Sequence, residues 1–132
     1  MPITQKKVVC LNAQTEHFNS FSTTNNLDIV LQDNGFEIVH TPQEKEGIHA
    51  VYRETPDVVL LDMSENKSSV WDLYQQIRKS ALTCNIPVIL ITGKTSRIED
   101  ILKIYAANAA DCLIKPFAPQ ELVISINQVL LN

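Results

Sequence analysis

Asp62, Thr92 and Lys115 are the side chains with the most chemistry to offer in this sequence, and each closes a short apolar run. Asp57-Val58-Val59-Leu60-Leu61-Asp62 sets four apolar residues between two carboxylates, just after Thr55-Pro56. Ile86-Pro87-Val88-Ile89-Leu90-Ile91 leads into Thr92, and Asp111-Cys112-Leu113-Ile114 leads into Lys115. Runs this short leave no room for helical periodicity and predict buried strands. In an open parallel sheet the carboxyl ends of the strands share one edge, where ligands bind. A carboxylate there can act as a nucleophile, and an ammonium can offset negative charge beside it. Taken singly, each residue has a plainer role. A strand-end Asp is a turn or cap residue, a Thr satisfies local backbone, and a Lys is solvated. Their convergence carries the functional reading.

The elements that must position them follow from periodicity and caps. Val8-Val9-Cys10-Leu11 predicts a first strand, followed by a polar loop from Asn12 to about Asn26. Leu27, Val30 and Leu31 fall at i, i+3, i+4 in a helix over about Thr24–Asn34, which Gly35 ends in the left-handed conformation. Phe36–His40 is the second strand. Thr41-Pro42-Gln43-Glu44 predicts the start of a second helix, with Thr41 capping and Pro42 at the first helical position. A third helix opens at Ser69-Val70-Trp71-Asp72 with Leu73 and Ile77 inward, and a fourth runs from Ser96 to about Ala107, with Asn108 at its stop. A last one starts at Pro119, with Leu122, Ile126, Val129 and Leu130 on its core stripe. Five strands alternating with helices require a parallel sheet covered on both faces, an α/β domain spanning residues 1–132.

Composition narrows the function classes. The chain has 132 residues, 45% hydrophobic and 20% charged, enough for one core and too few for two. A formal net charge of −4 provides no footprint for nucleic acid or anionic lipid. No stretch approaches the ~20 apolar residues of a membrane span, and no secretory leader is recognisable. Cys10, Cys84 and Cys112 are odd in number and far apart, which argues for a reduced, cytoplasmic protein without a zinc site or disulfide framework. His17, His40 and His49 have no metal-ligand spacing and read as surface residues. The three glycines form no phosphate-binding loop, which argues against a flavodoxin-like enzyme or nucleotide binder.

The pieces Pro56–Asp62, Ile86–Gly93 and, most specifically, Asn108-Ala109-Ala110-Asp111-Cys112-Leu113-Ile114-Lys115-Pro116-Phe117 resemble a response-regulator receiver domain, the phospho-acceptor module of two-component signalling. The resemblance implies a flavodoxin-like, doubly wound five-stranded sheet of order 2-1-3-4-5. It makes Asp62 the phospho-acceptor, Thr92 the switch hydroxyl and Lys115 the lysine that contacts acceptor and phosphoryl group. It implies no enzyme in the ordinary sense. Its partners would be a histidine kinase, a phosphotransfer protein or an output domain.

The sequence departs from that pattern at its metal site. Where the family places an acidic pair that holds Mg²⁺, this chain has Asn12 and Ala13. No metal is expected, with weak Mg²⁺ binding as the remaining possibility and Glu16 or Glu65 as the nearest replacement ligands. Cys112 stands where the family has an aromatic switch residue, Asn66-Lys67 replace a Pro-Gly loop, and Val70 replaces a glycine. Two readings of Asp62 follow: a structural ion pair with Lys115 in an atypical receiver, or a retained phospho-acceptor. Apolar residues beyond the core stripes, Ile101, Ile104 and Tyr105 on the fourth predicted helix and Val123 and Ile124 on the last, mark a candidate partner or homodimer face with the fifth strand.

Overall fold

The computed structural model describes residues 5–12, 27–63, 68–93 and 109–131. Its strands are β1 (Lys6–Asn12), β2 (Phe36–Pro42), β3 (Val58–Asp62), β4 (Val88–Thr92) and β5 (Asp111–Ile114). Four helices lie among the described residues: α1 (Leu27–Asp33), α2 (Gln43–Glu54), α3 (Ser68–Lys79) and α4 (Pro119–Leu131). The strands form one parallel sheet in the order β2-β1-β3-β4-β5. This is the flavodoxin-like arrangement that the resemblance implied. The expected loop after β1, the helix from Ser96 to Ala107 and its Asn108 stop lie outside the described residues, as do His17, Glu16, Glu65, Asn66 and Lys67.

Strand alternation divides the core in two, because successive side chains leave a strand on opposite faces. Val8, Cys10, Val58, Leu60, Ile89 and Ile91 pack toward α1 and α4. Val9, Leu11, Val59, Leu61, Val88 and Leu90 pack toward α2 and α3. The central strands β3 and β4 are buried at every position. Both faces are therefore covered, as a parallel sheet requires.

Local signals set most of the boundaries. Gly35 ends α1 at φ 89°, and its amide donates to the Gln32 carbonyl at 3.0 Å. Helix α2 ends at Thr55, which sits in the left-handed region at φ 43° and donates its amide to the Val51 carbonyl at 3.0 Å. Beyond α3, the Thr83 hydroxyl donates to the Ile77 carbonyl at 2.6 Å. The Lys115–Pro116 peptide bond is cis.

Three expectations are corrected. Thr41 and Pro42 belong to β2, not to a helix start, because β2 stays paired with β1 as far as Asn12 opposite Pro42. The ladder overrides the capping signal, and Pro is tolerated because β2 is an edge strand. Val123 is 4% exposed in the α1–α4 core, so it offers no surface to a partner. Helix α4 buries a wider stripe than its i, i+4 pattern indicated, whereas Ile124 is 55% exposed. Finally, His40 is half-buried, and its Nε2 lies 3.0 Å from both carboxylate oxygens of Asp28 on α1.

Candidate functional site

Asp62, Thr92 and Lys115 arrive at the same edge because the registers bring them there. Asp62 pairs with Ile91 and Thr92 with Ile114, so each of β3, β4 and β5 ends within a residue of its neighbour. Two backbone bonds hold the ends together beyond the strands: the Met63 amide donates to the Ile91 carbonyl at 2.6 Å, and the Lys115 amide to the Thr92 carbonyl at 2.9 Å. β1 comes to this edge too, since Leu11 pairs with Leu61.

At this edge Lys115 Nζ donates to Asp62 Oδ2 at 3.1 Å. The pair is largely desolvated, with side-chain exposures of 14% for Lys115 and 7% for Asp62. Taking two charges from water is costly, and a pair persists there only with close geometry and further hydrogen bonds. Thr92, at the end of the strand between them, is buried as well. The three sequence-predicted residues thus end neighbouring strands at one edge, with the Asp62 carboxylate facing the Lys115 ammonium.

The other predicted positions are divided. Asn12 closes β1, and Ala13 lies outside the described residues, as do Ile101, Ile104 and Tyr105. Among the described residues, no group of three His, Cys, Asp or Glu side chains is arranged to hold a metal ion. Of the five strand ends, β3 alone ends in a carboxylate. The described edge thus supplies one carboxylate, Asp62, where Mg²⁺ is usually held by one or two together with further oxygen ligands. Cys112 is half-buried, and burial followed by the charge of Asp111 pushes its thiol up, away from a reactive thiolate.

Asp111 itself was missed as a positioning residue. One carboxylate oxygen accepts the Cys112 amide at 2.8 Å, and the other accepts the buried Ser125 hydroxyl of α4. This ties the start of β5, the strand that leads into Lys115, to α4. Ser125 inside an apolar stripe was the signal that would have found it. Near Asp62, Trp71 on α3 shares a core cluster with Met63, the residue after it, and packs edge-on against Tyr74 with ring centroids 6.2 Å apart.

Comparison with known proteins places this geometry in context. A family model described as the response regulator receiver domain matches residues 20–127. The phosphate regulon transcriptional regulatory protein PhoB of Klebsiella pneumoniae is 31% identical over 101 residues, covering 76% of this chain and 44% of that protein. A probable transcriptional regulator ycf27 from Guillardia theta is 31% identical over 96 residues, covering 73% of this chain and 36% of that protein. The chain therefore spans less than half the length of the curated relatives it matches. Among solved structures, a putative response regulator from Chloroflexus aurantiacus superposes with a TM-score of 0.80 at 23% identity, covering 98% of this chain and 100% of that one. The chemotaxis response regulator CheY4 of Vibrio cholerae gives 0.75 at 19%, covering 96% and 99%.

Proposed function

The chain belongs to the response regulator receiver domain family, and from that membership we propose that it acts mainly through protein–protein interaction, with weak or absent Mg²⁺-dependent phosphorylation of Asp62. The observation that carries this reading is the donor set at the acceptor edge: one carboxylate, Asp62, facing Lys115, with Asn12 and Ala13 at the positions where an acidic pair would stand. An incoming phosphoryl donor is anionic, and so is Asp62. Phosphoryl transfer depends on positioning and charge neutralisation. With Lys115 as the cation at this edge, the loss of one charged clamp raises the barrier by about 2.7–4 kcal/mol, by analogy with single oxyanion donors. That corresponds to roughly a hundredfold or more in rate. In this reading residues 1–132 form one receiver unit in the cytoplasm, partnered by a histidine kinase, a phosphotransfer protein or an output domain. Ile124, exposed on α4, and Ile114, exposed at the end of β5, contribute to its interaction face.

A second reading, a working phospho-acceptor, is favoured by the Asp62–Lys115 pair with Thr92 at the end of the strand between them. Incubation with acetyl phosphate and Mg²⁺, followed by intact mass, separates the two. The expected result is no phosphoryl adduct, and Trp71 fluorescence shows no saturable change at millimolar Mg²⁺. Ala13→Asp should then create a saturable Mg²⁺ response. A stable adduct on Asp62 in the unsubstituted chain overturns the interaction-only reading in favour of the second.

A further inference from the structure

At the amino edge of the sheet, opposite Asp62, the chain forms a cavity of about 310 Å³ lined by Val51, Tyr52, Thr55, Pro56, Leu82 and Ile86. β3 separates the two edges by its five residues, roughly 17 Å at about 3.3 Å per residue. The cavity is built by the turn out of α2, where Thr55 takes φ 43° and passes the chain to Pro56, and by the loop between α3 and β4. Its size is at the lower end of ligand pockets, about 300–1,000 Å³, and suits one or two apolar side chains better than a cofactor. Leu82 on its rim is 78% exposed, and Tyr52 is 37% exposed. Two exposed apolar side chains at the mouth of a partly apolar cavity form a patch of the kind that marks an interaction site.

The charge around the cavity identifies the occupant. Arg53 lies in the last turn of α2, and Arg78 and Lys79 in the last turn of α3. Arg78 Nη1 donates to the Cys84 carbonyl at 3.4 Å, which places its guanidinium on the loop that carries Leu82 and Ile86. The Tyr52 hydroxyl donates to Ser80 Oγ at 3.2 Å, next to Lys79. The acids flanking Thr55 and Pro56 are Glu54, shared between Lys7 and Arg53 at 3.2 Å each, and Asp57, bound to the Lys7 amide, so the surplus cations of the rim are Arg78 and Lys79 at the end of α3, in a chain whose net charge is −4. A second copy seated here by two-fold symmetry would bring the same cations face to face. An acidic segment would meet them with opposite charge. We propose that this cavity is a docking site for an acidic peptide segment of a partner protein, anchored by an apolar side chain beside Leu82. The site is separate from the acceptor edge and does not depend on whether Asp62 is phosphorylated.

The test is an amide NMR titration of the isotopically labelled chain with a short synthetic peptide whose Leu-Phe centre is flanked by Asp and Glu, alongside the same centre flanked by Lys. The acidic peptide should shift the amides of Val51, Tyr52, Thr55, Leu82 and Ile86 and leave those of Leu61, Asp62 and Ile114 in place. Leu82→Ser, fold-neutral because Leu82 is exposed, should weaken binding about tenfold. Lys79→Gln should weaken it severalfold, as should raising the salt to about 1 M, where the Debye length is about 3 Å. Three results overturn the proposal: no shifts at millimolar acidic peptide, equal binding of the lysine-flanked peptide, or shifts of the same amides with chain concentration alone, which would assign the cavity to a second copy.

Discussion

Asp57 and Asp62 bracket the same short strand, yet they are bound in different ways. Asp57 Oδ2 accepts the Lys7 backbone amide at 2.7 Å, while the Asp57 amide donates to the Lys7 carbonyl at 2.8 Å. That reciprocal pair extends the contact between β1 and β3 to the residue before β3 begins. Asp62 instead faces the ammonium of Lys115, at the end of a long side chain contributed 53 positions later in the sequence. A backbone N–H is fixed by the sheet and cannot be lent to another anion. A lysine Nζ swings on a four-carbon stem and can be shared. The amino-edge carboxylate is therefore committed to structure, whereas the carboxyl-edge carboxylate has a partner that an incoming anion can compete for. Spacing along the strand does not distinguish the two; the partner does.

Removing the movable partner is the most severe way to test this contrast. Lys115→Met leaves the Asp62 carboxylate largely buried without its cation, and breaking a desolvated pair from one side costs about 3 kcal/mol. Urea unfolding at neutral pH measures it. Pairing Lys115→Met with Asp62→Asn should recover much of the loss, because the uncompensated charge is gone. A single-variant cost below about 1 kcal/mol would mean that solvent already screens the pair and that the contrast with Asp57 is one of geometry alone.

The opposite edge should respond less and without that recovery. Asp57→Asn weakens a charge-assisted bond to a backbone donor and retains an oxygen that can still accept, for a cost of about 1 kcal/mol. Because its partner is main chain, no side-chain substitution at Lys7 can rescue it. Asp57→Asn and Lys7→Met should therefore add to within about 0.5 kcal/mol. A coupling well above that would show that the Lys7 ammonium, and not the Lys7 amide, is what Asp57 depends on.

The same distinction sets how much of the molecule could be read from its residues. Strands β3, β4 and β5 and the trio at their ends were legible because a buried parallel strand is a short apolar run, and a polar residue closing it points to one edge. What could not be read was decided by neighbours distant in sequence. Thr41-Pro42 has a helix-start composition, but pairing with β1 holds it in the strand. Val123 looks surplus to one helical stripe until α1 covers a second. His40 reads as surface until Asp28 on α1 is placed beside it. Gly47 has no turn or cap signal around it in the sequence, yet a Cβ there would come within 2.8 Å of Leu73 Cδ2, so α2 and α3 approach at a position where a side chain would force Leu73 to move.

The finest probe of the amino edge is pH. The hydrogen bond from Lys7, and after it that from Arg53, holds the Glu54 carboxyl below the usual carboxylate range. A depressed folded-state value means that the interaction contributes in full above the unfolded value, about 4.3 for Glu, and is lost as pH falls through the lower folded one. Unsubstituted chain should therefore be slightly more stable than Glu54→Gln at pH 7, with the gap closing as pH drops below about 4. Urea midpoints measured across that range check the sign. Glu54 is partly exposed, so this effect is the smallest of the three. Because Lys7 donates its amide to Asp57 and its ammonium to Glu54, a gap that closes on acidification in the Asp57→Asn background as well would show that the two ends of Lys7 act independently. A gap that widens on acidification would reverse the assignment and make the Lys7–Glu54 contact a consequence of the fold at this edge, not a support for it.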